Sequence, residues 1–298
     1  MALQITRTAG ALGAEISGID LAKPLDDAAF GDIEQALLTH GAIFLLDQTI
    51  TPEQQLSFAR RFGTKIHLHP HIAGLPEQPE IAEIVRAEGD ERNFGVGWHT
   101  DQMFLPEPVM ATLLYAKELP AFGGDTLFAD LHAAYDALSC GMQRMLAGLR
   151  NVNLADAGRP RTGKAAVQAP PPATDSAPDG AAPGQYAGMG AMKLKQGAGF
   201  ATQSEHPLVR IHPKTGRKAL YVGLHTERFA DMTVAESAPL LDFLVAHATR
   251  PEFTCRLHWR KGTMAIWDNR RVLHNAINDY PGQRRRMHRI TIAGDRLY

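Results

Sequence analysis

Two histidines and one aspartate are the residues of this chain whose types and spacing point most directly to chemistry. His99 and Asp101 stand two residues apart in His99-Thr100-Asp101, and His274 follows far downstream. On an extended segment, residues two apart point to the same face, so His99 and Asp101 can approach one ion together. Two imidazoles and one carboxylate form a ligand set that holds Fe(II) and leaves three coordination positions open.

A His-x-Asp pair alone is weak evidence for a metal site. The chain has 13 histidines, so such spacings arise by chance, and the ordinary interpretation is a surface histidine beside a carboxylate. The C-terminal segment favours the metal, because Arg285 and Arg289 share one face of a predicted strand and lie about 13 Å apart. Two inward guanidinium groups at that distance can hold two anions with a metal between them. The alternative for this segment is a solvated basic run.

The bulk composition excludes several classes of protein. The chain has 298 residues, of which 44% are hydrophobic, and its net charge of −1 gives no reason to expect nucleic acid as a partner. Cys140 and Cys255 are the only cysteines, which excludes a disulfide framework or a cysteine zinc site and favours a cytoplasmic protein. No run approaches the roughly 18 apolar residues of a membrane helix, so we expect no membrane partner.

Short apolar runs bounded by Gly, Pro and Asp predict a mainly β fold with flanking helices. Helical periodicity occurs in three segments, and Thr51 and Pro52 can cap and begin the second of them. Many short strands with few helices indicate a β-sandwich or a jelly roll with the helices outside. The predicted strands are 42–46, 110–115, 126–129, 208–211, 220–222, 254–259 and 264–267, and the predicted helices are 27–40, 51–62 and 235–249.

Residues 156–204 interrupt this pattern, because they are rich in Ala, Pro and Gly. Such a composition buries little surface and keeps high chain entropy. It predicts either a disordered surface insertion or a mobile lid over a site, since long loops inside compact domains are often functional. Both are true if a lid becomes ordered only when ligand binds.

At this point the sequence resembles the taurine dioxygenase (TauD/TfdA) family of Fe(II)- and 2-oxoglutarate-dependent oxygenases. The resemblance covers nearly the whole chain, 1–298, as a single domain, and its motifs follow one another in the family's order. His274 precedes Arg285 by 11 residues and Arg289 by 15, which fits the family's spacing. The matching segments are 13–21, 50–55, 98–101, 117–120, 123–126, 267–270, 274 and 285–289.

The resemblance implies a double-stranded β-helix (jelly-roll) core and three cofactors or cosubstrates: Fe(II), 2-oxoglutarate and O₂. It implies that Thr126 and Arg285 bind the distal carboxylate of 2-oxoglutarate. It also implies that His69 and Arg289 meet the anionic head of the primary substrate. The implied iron ligands and catalytic residues are His99, Asp101 and His274.

The implied reaction hydroxylates a C–H bond of a small organic anion and releases succinate and CO₂. The substrate is an alkylsulfonate such as taurine or a bulkier analogue, whose product collapses to an aldehyde and sulfite. The alternative is an aryloxyalkanoate or an alkyl sulfate ester. Gly95 stands where the taurine enzymes carry an asparagine, which removes a polar contact and leaves room for a bulkier molecule. The resemblance further implies a homo-oligomer, a dimer or a tetramer.

Two other functions remain open at this stage. A zinc or manganese hydrolase could use the same three ligands, although it has no need of paired arginines at the spacing of Arg285 and Arg289. A non-catalytic binding protein could share the scaffold, but it has no reason to keep three metal ligands and an open coordination face. Fold alone does not decide between these functions.

Overall fold

The structure, a computed structural model, describes residues 3–91, 93–155, 189–193, 195 and 203–295. The fold is mainly β with few helices, as the sequence predicted. Most of the Ala/Pro/Gly-rich segment 156–204 lies outside the described residues, and the prediction of a lid lies outside them with it. Within the described part of the chain, no helix is long and apolar enough to span a membrane.

The described strands are short, and several predicted ones lie where the sequence put them. In chain order they are β1 (Gln4–Arg7), β2 (Ala14–Ser17), β3 (Ala42–Leu45), β4 (Ala82–Arg86), β5 (Ala111–Glu118), β6 (Thr126–Asp130), β7 (Arg150–Leu154), β8 (Gln203–Pro207), β9 (Val209–Ile211), β10 (Lys218–Leu220), β11 (Thr226–Phe229), β12 (Thr254–Leu257), β13 (Met264–Asp268), β14 (Val272–Ala276) and β15 (Arg285–Ile292). The strand predicted at 220–222 is wrong in its bounds, because the chain leaves the sheet after Leu220.

Three of the five described α-helices agree closely with the predicted ones, because their caps are local, and the two short helices between Leu131 and Leu146 were not predicted. Thr51 caps α2 and Pro52 is its first residue, and Thr51 and Gln54 exchange the two hydrogen bonds of a capping box. Thr233 and Glu236 form the same motif at the start of α5. The helices are α1 (Asp27–His40), α2 (Pro52–Phe62), α3 (Leu131–Asp136), α4 (Cys140–Leu146) and α5 (Val234–Ala248).

Two sheets face each other across an apolar core. The large sheet has the order β1-β2-β3-β13-β5-β15-β4, and a second sheet has the order β12-β6-β14. Phe44 of β3 and Trp267 of β13 each lie 5.6 Å, centroid to centroid, from Phe128 of β6. The side chains between the sheets therefore come from both of them, as in other sandwiches.

The strand β3 shows how the same core extends to the helices. Its four residues are all buried, with Ile43 and Leu45 packed among the apolar residues of α1 and α2. Ala42 and Phe44 alternate to the other face and pack toward the second sheet. A continuous apolar run thus buries both faces of one strand, which places α1 and α2 outside the large sheet.

A buried ion pair ties α1 to the second sheet. Arg271 pairs with Asp130, and both side chains are at most 3% exposed. Arg271 also donates to the Leu38 carbonyl at 2.9 Å, while Asp130 caps α3 through the amide of His132. The pair joins the start of β14 to the end of β6, directly before the segment that carries His274.

We expect Arg271→Met to lower the free energy of unfolding by about 3–5 kcal/mol, because it leaves the Asp130 carboxylate buried without a cation. Urea denaturation at pH 7 measures this change. The matched control is Arg217→Met, which removes an exposed pair with Asp136. That control should cost less than about 1 kcal/mol. Equal losses of unfolding free energy in both variants would show that the buried pair contributes no more stability than the exposed pair.

Candidate metal centre and active site

His99 and His274 lie directly opposite each other on neighbouring backbones. The His99 amide donates to the His274 carbonyl at 3.0 Å, and the His274 amide donates to the His99 carbonyl at 2.8 Å. Residues that exchange both hydrogen bonds in an antiparallel pair project their side chains to the same face. The two imidazole centroids are accordingly 4.1 Å apart.

Asp101 reaches the two histidines through a turn. The sequence predicted an extended segment in which His99 and Asp101 point to the same face. This prediction is wrong, because the chain is extended at His99 but not at Asp101. A turn begins at Asp101, and Gln102 has a φ of +49°. The turn still brings Asp101 Oδ1 to 3.7 Å from His99 Nε2 and 3.6 Å from His274 Nε2.

The protonation of this cluster suits a divalent cation. His99 Nδ1 lies 2.8 Å from the Gly97 carbonyl and therefore carries the proton, which leaves the lone pair on Nε2. Burial lowers the pKa of His99 and of His274, so both rings are neutral at pH 7. Burial alone would raise the pKa of Asp101, but Arg289 and the two imidazoles hold it well below its ordinary value. Neutral imidazoles and an ionised carboxylate are the forms that bind metal.

The two predicted arginines lie on β15 and are both buried. Arg289 Nη2 is 2.8 Å from Asp101 Oδ1, so this guanidinium stands beside the metal cluster. Arg285 is four residues earlier on the same face, and its Nε and Nη2 have no hydrogen-bond partner within the described residues. A buried guanidinium with free donors indicates a site for an anion, because unpartnered buried donors are costly.

Thr126 and Arg285 both lie against the indole of Trp259. Trp259 Nε1 donates to Thr126 Oγ1 at 3.0 Å, and the Arg285 guanidinium carbon is 5.5 Å from the centre of the Trp259 ring. Since the Thr126 oxygen already accepts a hydrogen bond, its own proton is left to donate to a ligand. Trp259 was not identified as a site residue from the sequence, where it is only the end of a predicted strand.

Tyr280 was also not identified from the sequence, and it contacts Arg285. Its hydroxyl donates to Asn93 Oδ1 at 2.8 Å, and its ring is fully buried. Burial raises the pKa of Tyr280, while the charges and hydrogen bonds of Arg285 and Arg86 act against that rise. The Arg285 side chain is therefore held by Tyr280 as well as packed near Trp259.

His69 lies on the Arg289 side of the cluster. Its Nδ1 accepts hydrogen bonds from the amides of His71 and Ile72, at 3.2 Å and 3.0 Å, so its proton is on Nε2. Burial holds the pKa of His69 well below its ordinary value, which keeps the ring neutral. Phe94 joins the two residues, with its ring 5.9 Å from the His69 ring and 5.7 Å from the Arg289 guanidinium carbon.

Gly95 stands against the metal cluster. Its φ is +82°, which favours glycine, and a Cβ placed on it would lie 3.6 Å from His99 Cε1. On the other flank, the His225 ring is 6.1 Å from His99 and 5.1 Å from Phe104. The space around His99 is therefore bordered by a residue without a side chain and by aromatic rings.

Comparison with known proteins identifies this arrangement. The family described as "Taurine catabolism dioxygenase TauD, TfdA family" matches residues 4–291. The chain belongs to this family. It is thus a 2-oxoglutarate-dependent dioxygenase, an enzyme whose chemistry requires Fe(II), 2-oxoglutarate and O₂. The hydrolase and the non-catalytic binding protein considered from the sequence are set aside by this result.

Relatives within the TauD/TfdA family bear different names. A (S)-phenoxypropionate/alpha-ketoglutarate-dioxygenase of Sphingobium herbicidovorans is 33% identical, over 95% of this chain and 92% of the relative. An alkylsulfatase of Acinetobacter baylyi is 32% identical, over 98% of this chain and 86% of the relative. A crystal structure of a taurine dioxygenase from Burkholderia xenovorans is 31% identical and superimposes with a TM-score of 0.76, covering 98% of this chain and 91% of that one.

We expect His99→Ala to abolish turnover, because it removes one of three metal-binding groups. Its affinity for Co(II), followed by optical titration, should fall by more than the 10- to 100-fold typical of losing an outer partner of a ligand. The control is His258→Ala, since the His258 side chain is 76% exposed. Full activity in His99→Ala would show that the ligand assignment is wrong.

Proposed function

We propose that this dioxygenase hydroxylates an organic anion with an apolar body, an alkyl sulfate ester or an aryloxyalkanoate, in preference to taurine. The observation that carries the proposal is the position of Arg289, His69 and Phe94. A cation, a neutral N–H donor and an aromatic ring lie together beside the metal cluster. We also infer that the two facing sheets form the double-stranded β-helix core that the resemblance implied.

In this proposal His99, Asp101 and His274 hold Fe(II) through His99 Nε2, Asp101 Oδ1 and a ring nitrogen of His274. When bound, iron with 2-oxoglutarate and O₂ supplies the oxidant that converts a substrate C–H to C–OH, with release of succinate and CO₂. The protein needs no general base for this reaction. Its residues hold the substrate C–H near the metal and keep water away from it.

Arg285 and Thr126 would bind the distal carboxylate of 2-oxoglutarate. Support comes from Nε and Nη2 of Arg285, which have no hydrogen-bond partner among the described residues, and from the Thr126 hydroxyl, whose oxygen already accepts from Trp259. Trp259 and Tyr280 restrict the Arg285 side chain before the ligand arrives, which reduces the entropy cost of binding. A planar guanidinium suits a carboxylate because it donates two parallel hydrogen bonds.

The anionic head of the primary substrate would lie between Arg289 and His69. Arg289 supplies the positive charge, and the proton on His69 Nε2 supplies a neutral hydrogen bond. In the part of the chain that is described, Asp101 is the one carboxylate whose charge acts on His69, His99 and His274. Because Asp101 is committed to the metal in this proposal, it is not available to pair with the ammonium group of taurine.

The body of the substrate would lie along the apolar groups next to His99. Gly95 leaves open the position beside His99 Cε1, and Phe94 and Phe104 provide apolar surface on either flank. The names of two relatives, an alkylsulfatase and a phenoxypropionate dioxygenase, support this choice, while a structural neighbour of similar identity is named a taurine dioxygenase. Hydroxylation at the carbon that bears the sulfate or aryloxy oxygen gives a product that collapses to a carbonyl compound with release of sulfate or a phenol.

We further propose that the enzyme is a cytoplasmic homo-oligomer with a single catalytic domain. Cys140 and Cys255 are both free thiols, which suits a reducing compartment. The oligomer follows only from the resemblance, and size-exclusion chromatography with light scattering tests it.

The substrate proposal predicts that alkyl sulfate esters or aryloxyalkanoates have a kcat/KM at least tenfold above that of taurine. Burying two extra methylene groups is worth about 1.6 kcal/mol, which corresponds to more than tenfold. Succinate release measures turnover for each compound. Gly95→Asn, a residue that tolerates positive φ, should lower turnover of the bulky compounds more than that of taurine. A preference for taurine would overturn the proposal.

Substitution of Arg285 and of Arg289 should raise the KM values of two different ligands. Arg285→Ala should raise the KM for 2-oxoglutarate by about 10- to 100-fold, the value of a lost charge-assisted contact, and Arg289→Ala should do so for the primary substrate. Arg286→Ala is the matched control, because its side chain is 39% exposed and faces Glu83 and Glu118. If each arginine variant raised both KM values equally, this division of roles would be wrong.

A further inference from the structure

Asp101 Oδ2 has a hydrogen-bond partner to which the family resemblance assigned no role. Thr112 Oγ1 donates to Asp101 Oδ2 at 2.6 Å, a short hydrogen bond to an ionised acceptor. Thr112 is fully buried on β5, in the large sheet. Asp101 Oδ2 thus accepts the Thr112 hydroxyl, while Oδ1 faces the two imidazole nitrogens and Arg289 Nη2.

Asn269 fixes the direction of this hydrogen bond. Its Nδ2 donates to Thr112 Oγ1 at 2.9 Å, so the Thr112 proton must point to the carboxylate. Its Oδ1 accepts from the Asp101 amide at 3.2 Å and from Trp267 Nε1 at 3.1 Å. Because both of those groups only donate, the Asn269 amide has one orientation and the whole network has one arrangement.

We propose that Thr112 and Asn269 are positioning residues that keep Asp101 a one-oxygen ligand, bound to the metal through Oδ1 alone. This inference rests on the proposed role of Asp101 as an iron ligand. The hydroxyl holds Oδ2 away from the metal, and Asn269 holds both the hydroxyl and the backbone of Asp101. Neither residue is one of the three groups that could hold the metal.

The consequence concerns the number of free coordination positions. With one oxygen from Asp101 and one nitrogen from each histidine, three positions remain of the six in an octahedral site. A chelating 2-oxo acid would use two of them and leave one for O₂. A carboxylate free to rotate could bind through both oxygens and take one of these positions. By holding Asp101 Oδ2, Thr112 would keep all three of these coordination positions free.

Thr112→Val tests the proposal, because valine keeps the shape and the β-branch but removes the hydroxyl. The substitution removes the hydrogen-bond donor of Asp101 Oδ2 and the acceptor of Asn269 Nδ2, and both atoms stay buried. We expect the affinity for Co(II) to fall by about 10- to 100-fold. We also expect the visible spectrum of bound Co(II) to change in position or intensity, since it reports the coordination number. Thr112→Ser, which keeps the hydroxyl, should restore both.

The matched control is Thr263→Val, made directly before β13, the neighbour of β5 in the same sheet. Thr263 is fully buried and its hydroxyl has no hydrogen-bond partner within the described residues. This variant should bind Co(II) with wild-type affinity and an unchanged spectrum. Thr112→Ala provides a second test if Thr112→Val does not fold, and it should change the spectrum in the same direction.

Three outcomes distinguish this inference from the proposed function. A changed spectrum in Thr112→Val or Thr112→Ala, restored in Thr112→Ser, supports the positioning role. Wild-type affinity and spectrum in both hydroxyl-free variants would overturn it and leave the iron ligands untouched. Failure of the wild-type protein to bind Co(II) would overturn the ligand assignment and the inference together.

Discussion

The buried negative charge of Asp101 is the constraint on which the site depends. A carboxylate that is 4% exposed would take up a proton unless charges or hydrogen bonds compensated its burial. Arg289 supplies a positive charge at 2.8 Å, Thr112 supplies a hydroxyl, and Asn269 holds the backbone. A bound divalent cation would add the largest compensating charge, and it would do so on Oδ1, the oxygen that faces both histidines.

The fold delivers these groups from two facing sheets. β14 in the smaller sheet carries His274, and its backbone pairs with His99 in an isolated bridge. In the large sheet, β5 carries Thr112 and its neighbour β15 carries Arg285 and Arg289. The site therefore lies where the sheets meet, and the apolar core between them sets its dimensions. Loss of a core contact would displace the side chains of the site, because close-packed interiors transmit strain.

The sequence predicted the part of the site that depends on residue type and local spacing. His99, His274 and the alternation of Arg285 with Arg289 on one strand could be read directly, and so could the capped helices. The turn at Asp101 could not be predicted, because its positive φ falls on Gln102 and not on a glycine, the residue that usually marks such a turn. The three predicted side chains still lie together, because the turn brings Asp101 Oδ1 to within 3.7 Å of both imidazole nitrogens.

Residues that act through long-range contacts could not be found in the sequence. Thr112 looks like any β-branched strand residue, and Tyr280 and Trp259 look like ordinary aromatics. Their roles arise from contacts with residues more than 100 positions away, or from the fold that packs them beside Arg285. β7 and β8 were missed for a related reason. They carry buried asparagine and histidine side chains where apolar residues are expected, and tertiary hydrogen bonds compensate for them.

The most direct test of the central claim is an anaerobic titration of the protein with Fe(II) and 2-oxoglutarate, followed by visible absorption. Chelation of iron by the 2-oxo acid should produce a weak metal-to-ligand charge-transfer band that saturates at one equivalent of each. The same titration of His99→Ala should give no band. Iron demonstrably bound to the wild-type protein, with no band at saturating 2-oxoglutarate, would contradict the assignment of this site.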